Sequence, residues 1–222
     1  MKHRPLHFFN SISPVPGTPR YPRKPLDAFL EYLRFTKVMP YIPKNARLLN
    51  IGAGDGAFLR YLKEHVQFAV GIDSHLPKAV DIGRCHLVPG SFPHDLKTVF
   101  RQFGEKHFDV ITMMAVAEHI PMEAYPDVAD ACWKYLSPSG ILICTVQHPR
   151  VENLLDLLKK LKIVEGFSMH EHYDFNPDCL PEIFNQWILI KRERWGFGCN
   201  NLFLFRKRES SGNEGVKCPH IC

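Results

Sequence analysis

The sequence predicts an α/β protein built on a doubly wound, mostly parallel sheet, and three observations carry that expectation. Short apolar runs alternate with segments of helical period through the middle of the chain. A turn holding three glycines in five residues, Gly52-Ala53-Gly54-Asp55-Gly56, joins the first apolar run to a helical one. The last two extended runs are separated by so few residues that they must be antiparallel neighbours.

Taken in order, residues 1–24 form a basic, proline-rich arm. Pro5, Pro14, Pro16, Pro19 and Pro22 exclude a helix; Phe8, Phe9 and Tyr21 would allow the arm to pack across the domain as a lid, which nothing in the sequence demands. Residues 25–207 form the folded domain. Pro25 opens a helix carrying Leu26, Phe29, Leu33 and Val38, stopped by Pro40 and Pro43. Leu48, Leu49 and Ile51 suit a buried parallel strand, and Phe58, Leu59 and Leu62 recur on one helix face after the glycines.

A second strand, residues 68–73, ends on Asp73. A short helix is expected at 77–81 and a third strand at 86–88, stopped by Pro89-Gly90. Residues 95–103 place Leu96, Val99, Phe100 and Phe103 at helical spacing, and 108–114 is a fourth strand. A helix over 126–136 leads through the turn Pro138-Ser139-Gly140 to a fifth strand at 141–146. Beyond it come an amphipathic helix over 151–162, a polar loop at 170–174, a short helix near 180–187, and strands at 188–195 and 201–206. Residues 208–222 contain Ser, Gly and Glu and are expected to be a disordered tail.

A chain of 222 residues suits one domain with modest additions, and 45% hydrophobic residues with no run long enough to cross a bilayer predicts a soluble protein. The basic start leads into prolines instead of an apolar signal core, so a cytoplasmic protein is expected. Seven scattered cysteines do not make a disulfide framework; Cys85, Cys132 and Cys144 lie in apolar runs and read as reduced core residues. The net charge of +5 resides in the arm, where Lys2, Arg4, Arg20, Arg23 and Lys24 stand without an acid. That pattern fits a solvated tail better than a nucleic-acid contact, although an arm of this kind can reach phosphates. Nothing in the sequence sets the oligomeric state.

Glycines at a strand-to-helix junction let a ligand approach the backbone closely, and the helix start offers free N–H groups. A nucleotide-like cofactor is therefore expected there. Gly52, Gly54 and Ala57 also satisfy the dinucleotide pattern G-x-G-x-x-A, and Asp73 follows about 20 residues later, where such folds place the group that binds ribose hydroxyls.

The order of these motifs resembles the class I S-adenosylmethionine-dependent methyltransferases, in the broad small-molecule group. The resemblance rests on residues 50–56, on Asp73, on residues 108–111 leading to Glu118-His119-Ile120, on residues 136–142, and on the closing hairpin. It implies a Rossmann-like, seven-stranded sheet with an antiparallel C-terminal strand, and S-adenosyl-L-methionine as cofactor. It implies that Asn50, Gly52, Ala53, Gly54 and Gly56 pass the methionine part. Asp73 and Ser74 would meet the ribose, Ser91 and Phe92 the adenine, and Ala115 the far side of the site. Two positions depart from the family pattern. Asn50 stands where the first strand usually ends in an acid, and Ser91 where an Asp is frequent; Asp95 is a nearby substitute. Asn50 can accept a hydrogen bond from the cofactor's amino group but brings no countercharge.

Methyl transfer from a sulfonium is chiefly a matter of alignment, helped by a base where the acceptor is a hydroxyl or amine. His119, His148 and His172 are the candidate catalytic residues, with His170 beside the last. His170 and His172 alternate, but with Glu171 and Asp174 they lack a defined further ligand. Substrate contact or a hydrogen-bonded loop is the better reading, and no metal is expected. Cys218-Pro219-His220-Ile221-Cys222 likewise has no second ligand pair at zinc spacing. Trp187, Trp195 and Phe197 fit either core or an aromatic acceptor pocket. The reading is an enzyme that methylates a small or conjugated molecule, preferentially on oxygen. The alternatives are an RNA-directed methyltransferase using the arm, a catalytically silent binding module, and a nicotinamide-dependent oxidoreductase.

Overall fold

The computed structural model describes Thr18 and residues 24–104, 107–148, 175–196 and 198–208. The expected helix over 151–162, His170, His172, Phe197, almost all of the arm and the tail after residue 208 lie outside the described residues.

Helix α1 (Pro25–Val38) begins with proline at its first position, and the Lys24 N–H donates to Asp27 Oδ2 at 3.1 Å. It precedes β1 (Arg47–Ile51), the glycine turn and the short α2 (Ala57–Leu62). Then follow β2 (Phe68–Asp73), β3 (Val80–Ile82), β4 (Cys85–Pro89), α3 (Leu96–Phe103) and β5 (Phe108–Met114). The rest comprises α4 (Tyr125–Tyr135), β6 (Leu136–Gln147), α5 (Leu180–Ile183), β7 (Trp187–Trp195) and β8 (Asn200–Lys207).

The strands form one sheet of order β3-β4-β2-β1-β5-β6-β8-β7. β4, β2, β1, β5 and β6 are parallel, and β8 runs antiparallel to β6 and β7. Along each strand alternate side chains enter opposite layers. Leu49, Val70 and Ile111 pack on the side of α3 and α4, whereas Leu48, Ala69 and Val110 pack on the side of α1 and α2. Burying both faces explains why the central strands read as continuous apolar runs instead of alternating ones. Leu48, Leu49, Leu59 and Leu62 are fully buried, each stabilising the fold by about 1.5–3 kcal/mol.

Three expectations are corrected. The sheet has eight strands, because residues 80–82 form a strand where a helix was expected at 77–81. Val80 and Ile82 are β-branched, and Gly83, at φ +66°, supplies the left-handed residue of a two-residue turn that folds them back on β4. The residues 138–140, expected as a turn, lie within β6, and the extra length is absorbed by a register shift opposite Phe108 and Val110. The helix near 180–187 ends at Ile183, and Trp187 already opens β7.

Cys85, Cys132 and Cys144 are buried free thiols, as the apolar runs implied. Burial pushes the Cys85 thiol up to about 12, which makes it an unreactive core residue. Among the described residues no helix is long and apolar enough to cross a membrane.

Candidate active site

The glycine turn is pinned to β2. The N–H groups of Gly52 and Ala53 both donate to the Ile72 carbonyl, at 2.9 and 3.2 Å. Gly52, Gly54 and Gly56 take φ of +68°, +55° and +79°, the left-handed region in which glycine carries no Cβ penalty. Their surroundings separate their roles. A Cβ at Gly52 would stand 2.3 Å from Val116 Cγ2 and one at Gly56 2.4 Å from Leu87 Cδ1, so both are needed for packing. A Cβ at Gly54 would meet nothing within 4 Å. Gly54 therefore faces open space, as a turn that admits a ligand must.

Asp73 closes the same site from β2. Its Oδ2 accepts from the Gly54 N–H at 2.8 Å, and its Oδ1 accepts from the His75 N–H at 2.9 Å with His75 Nδ1 at 3.3 Å. The carboxylate thus fixes the turn as well as fronting the site, a double duty that spacing alone does not reveal. Ser74 beside it is exposed. At the end of β4, Ser91 is exposed and Phe92 half-buried. The Asp95 carboxylate accepts from the Ser91 N–H at 2.8 Å, so Asp95 organises this loop as well as standing near Ser91.

Asn50 is 1% exposed, and its Oδ1 accepts from the Thr112 hydroxyl at 2.9 Å across the β1–β5 pairing. An amide oxygen has two lone pairs, so this bond orients Asn50 without exhausting it. β5 ends in a constrained corner. Ala115 has φ +54°, uncommon for a residue with a Cβ, and its N–H donates to the Thr145 carbonyl at 2.8 Å. The one-turn segment Ala117–His119 follows, held from beneath by Tyr125, whose hydroxyl donates to the Ala117 carbonyl at 2.6 Å. Burial, with the neighbouring Cys144 and Glu118, raises the Tyr125 pKa, so the hydroxyl stays a donor.

Glu118 is 5% exposed and its Oε1 lies 3.5 Å from the Gln147 N–H at the end of β6. His119 and His148 are half-buried beyond the ends of β5 and β6, and the His148 N–H donates to the Cys199 carbonyl at 2.9 Å. Arg34 of α1 feels the Glu118 carboxylate electrostatically: burial lowers its pKa, while the charges of Glu118 and Glu31 raise it.

All described residues expected at the site from the sequence therefore gather along the carboxyl ends of β1, β2, β4, β5 and β6. The strand order reverses between β1 and β5, the place where open α/β sheets receive ligands. His172 lies outside the described residues. Sequence reasoning did not single out Arg34, Thr145 or Glu118 as site groups. Arg34 has no local signal, since it lies 84 residues from Glu118 in the chain and only the packing of α1 brings them together. Among the described residues no group of three or more His, Cys, Asp or Glu could hold a metal ion.

This geometry agrees with the comparisons. The methyltransferase-domain family matches residues 20–184. The chain belongs to that family, within the class I S-adenosylmethionine-dependent methyltransferases, and is an enzyme whose cofactor is S-adenosyl-L-methionine. Its fold is similar to that of a SAM-dependent methyltransferase from Archaeoglobus fulgidus, at TM-score 0.60 and 15% identity, covering 81% of this chain and 94% of that one. It is also similar to the 1,6-didemethyltoxoflavin-N1-methyltransferase of Burkholderia thailandensis, solved with 1,6-didemethyltoxoflavin and S-adenosylhomocysteine. That TM-score is 0.55 at 16% identity, covering 80% of this chain and 77% of that one. A search of the curated proteins finds no significant match.

Proposed function

We propose that the protein transfers the methyl group of S-adenosylmethionine to an oxygen of a small or conjugated molecule. The observation that carries this reading is the open face of Gly54 beside Asp73, with the ends of β5 and β6 carrying His119 and His148 across the same crevice. The residues suit the cofactor: an open backbone at Gly54, a carboxylate at the end of β2, and the buried amide of Asn50 at the end of β1. Bound there, S-adenosylmethionine supplies a methyl group already activated on a sulfonium, which leaves as a neutral thioether.

The chain's own residues then have three tasks. Gly52, Gly54, Gly56 and Ala53 present backbone to the methionine part, Asp73 and Ser74 hold the ribose hydroxyls, and Ser91 and Phe92 border the base. Ala115, its N–H bonded to the Thr145 carbonyl, borders the cofactor on the far side. His119 or His148 takes the proton that an acceptor hydroxyl loses as its oxygen bonds to the methyl carbon. A small acceptor is in keeping with the Burkholderia neighbour, an N1-methyltransferase solved with 1,6-didemethyltoxoflavin bound.

The test is direct. S-Adenosylhomocysteine binding is measured by calorimetry, and the enzyme is then incubated with methyl-labelled cofactor and a metabolite extract. The carbon NMR shift of the transferred methyl separates an oxygen from a nitrogen acceptor. His119→Ala and His148→Ala are expected to keep S-adenosylhomocysteine affinity, and at least one to lower turnover by about a hundredfold or more. Absence of cofactor binding refutes the reading, and an N-methyl product refutes its oxygen preference.

A further inference from the structure

The sheet ends on one side in an apolar edge. Among the described residues the exposed large hydrophobic side chains are Phe29, alone on α1, and Ile188, Leu189 and Ile190, consecutive on β7 and 38%, 38% and 48% exposed. β7 is the last strand in the sheet order, so its outer backbone groups face no neighbouring strand. Ile188 pairs with Arg206 and Leu189 with Phe205, which puts them on opposite faces of the sheet. Lys191 then pairs with Leu204, the next residue of β8, and Ile190 is left as the extra residue of a bulge. The apolar groups therefore wrap the edge instead of lying on one face.

Basic residues flank this edge on both faces. Arg206 stands beside Ile188 across the pairing, and Lys191, opposite Leu204, lies on the same face. Arg192 and Arg194 lie on the other, Arg192 over the Phe203 ring. Arg206 and Arg208 are exposed, with no carboxylate partner among the described residues. The acids here are Glu193, paired with Lys37 and Lys191, and Asp178, paired with Arg192 and Arg194, so the edge is net positive. It is also remote from the crevice. Ile188 and Ile141 both pair with Arg206, towards the amino end of β6, whereas Trp195 and Gln147 both pair with Asn200, at its carboxyl end beside His148.

Three kinds of partner compete for such an edge. A strand from a second copy is opposed by the bulge and by the basic groups, the devices that keep sheet edges from pairing. Single-stranded RNA is held by basic groups together with aromatic rings on which bases stack, and the exposed apolar groups here are aliphatic. An anionic bilayer surface uses both features. Aliphatic side chains enter the boundary between headgroups and acyl chains, while the flanking Lys and Arg heads stay at the level of the phosphates with their stems along the apolar zone. The unpaired backbone groups of β7 limit the depth, because they need water or headgroup oxygens as partners.

We propose that the edge formed by Ile188, Leu189 and Ile190, with the basic residues around it, is a docking surface for an anionic lipid bilayer. It holds the protein reversibly at the headgroups with the crevice turned to the aqueous side. This goes beyond the methyltransferase reading above and does not rest on it.

The experiment mixes the full chain with vesicles of phosphatidylcholine alone or of phosphatidylcholine with phosphatidylglycerol, and measures the bound fraction by cosedimentation. Binding is expected to the anionic vesicles, to weaken as salt is raised, and to be about tenfold or more weaker on the neutral ones. The double variant Ile188→Ser, Ile190→Ser is expected to lose about tenfold or more in vesicle affinity, and Arg206→Gln and Arg208→Gln about fivefold each. All are expected to keep the parent's thermal midpoint and S-adenosylhomocysteine affinity. Absence of binding to anionic vesicles, or equal binding to neutral ones, overturns the proposal. So does vesicle binding that survives in the double serine variant, which would belong to the basic arm. A lipid-free dimer seen by light scattering and abolished by the double serine variant overturns it in favour of a second copy. An RNA oligonucleotide that binds more weakly to Arg206→Gln but equally well to the double serine variant overturns it in favour of RNA. Should the double variant fail to fold, Ile190→Ser decides by the same comparison. Failure of S-adenosylhomocysteine to bind is a different result and strikes the methyltransferase reading instead.

Discussion

Gly54→Ala separates the cost of a strained backbone from the cost of a blocked site. Gly54, Gly83 and Gly104 share a left-handed φ, of +55°, +66° and +71°, and at all three an added Cβ meets nothing within 4 Å. Alanine at each should therefore cost only the left-handed penalty, about 1–2 kcal/mol, because no neighbour has to move. For a chain of this length each kcal/mol lowers the thermal midpoint by about 2–4 °C, so the three variants should unfold at similarly reduced temperatures. Their binding should diverge. Gly83 sits in the β3–β4 turn and Gly104 caps α3, both away from the crevice, whereas the Cβ at Gly54 projects into the space assigned to the cofactor. S-Adenosylhomocysteine affinity, read by calorimetry well below the unfolding temperature, should fall about tenfold or more in Gly54→Ala, equivalent to about 1.4 kcal/mol. It should be unchanged in Gly83→Ala and Gly104→Ala. Equal affinity across the three folded variants would refute the placement of the cofactor at Gly54.

Three further outcomes follow from individual contacts. Thr112→Val removes the hydroxyl that donates to buried Asn50 Oδ1 and should lower stability by about 1–3 kcal/mol in urea unfolding; an unchanged midpoint would show that Asn50 finds another partner at no cost. Tyr125→Phe strips the support of the Ala117 carbonyl and should cost about 1 kcal/mol while reducing turnover more than cofactor affinity. For Asp109, burial raises the carboxyl pKa, but the Arg47 backbone and side-chain hydrogen bonds, the Arg47 charge and the Ser137 hydroxyl outweigh it and leave the folded value lowered. A lowered folded value gives stability that is present at neutral pH and lost as the pH falls through it. Asp109→Asn should therefore be less stable than the parent at pH 7, by under about 1 kcal/mol since the pair is partly exposed, and the two urea midpoints should converge below about pH 4.

Much of the fold was legible because its signals are local. The runs that became β1, β2 and β5 are apolar throughout since both sheet faces are covered, and the helices over 25–38 and 96–103 announce themselves by spacing and by their proline and glycine ends. The errors fell where local and tertiary preferences compete. Residues 80–82 are too few to show a period, and pairing with β4 decides them as a strand. The 138–140 stretch has turn composition, yet the sheet absorbs it as an irregularity in β6.

The sequence by itself determined the parallel α/β plan, the glycine turn, Asp73 one strand later and the closing hairpin. Each of these depends on residues close in the chain or on a periodicity that one strand or helix must satisfy. Only the tertiary structure decided what those residues do for one another. It shows that Asp73 braces Gly54, that Thr112 holds Asn50, that Tyr125 supports the Ala117 carbonyl, and that the charge of Glu118 reaches Arg34 of α1. Such partnerships are set by strand register and by the packing of α1 on the sheet. The donors and acceptors they pair lie on different elements, so no local pattern records them.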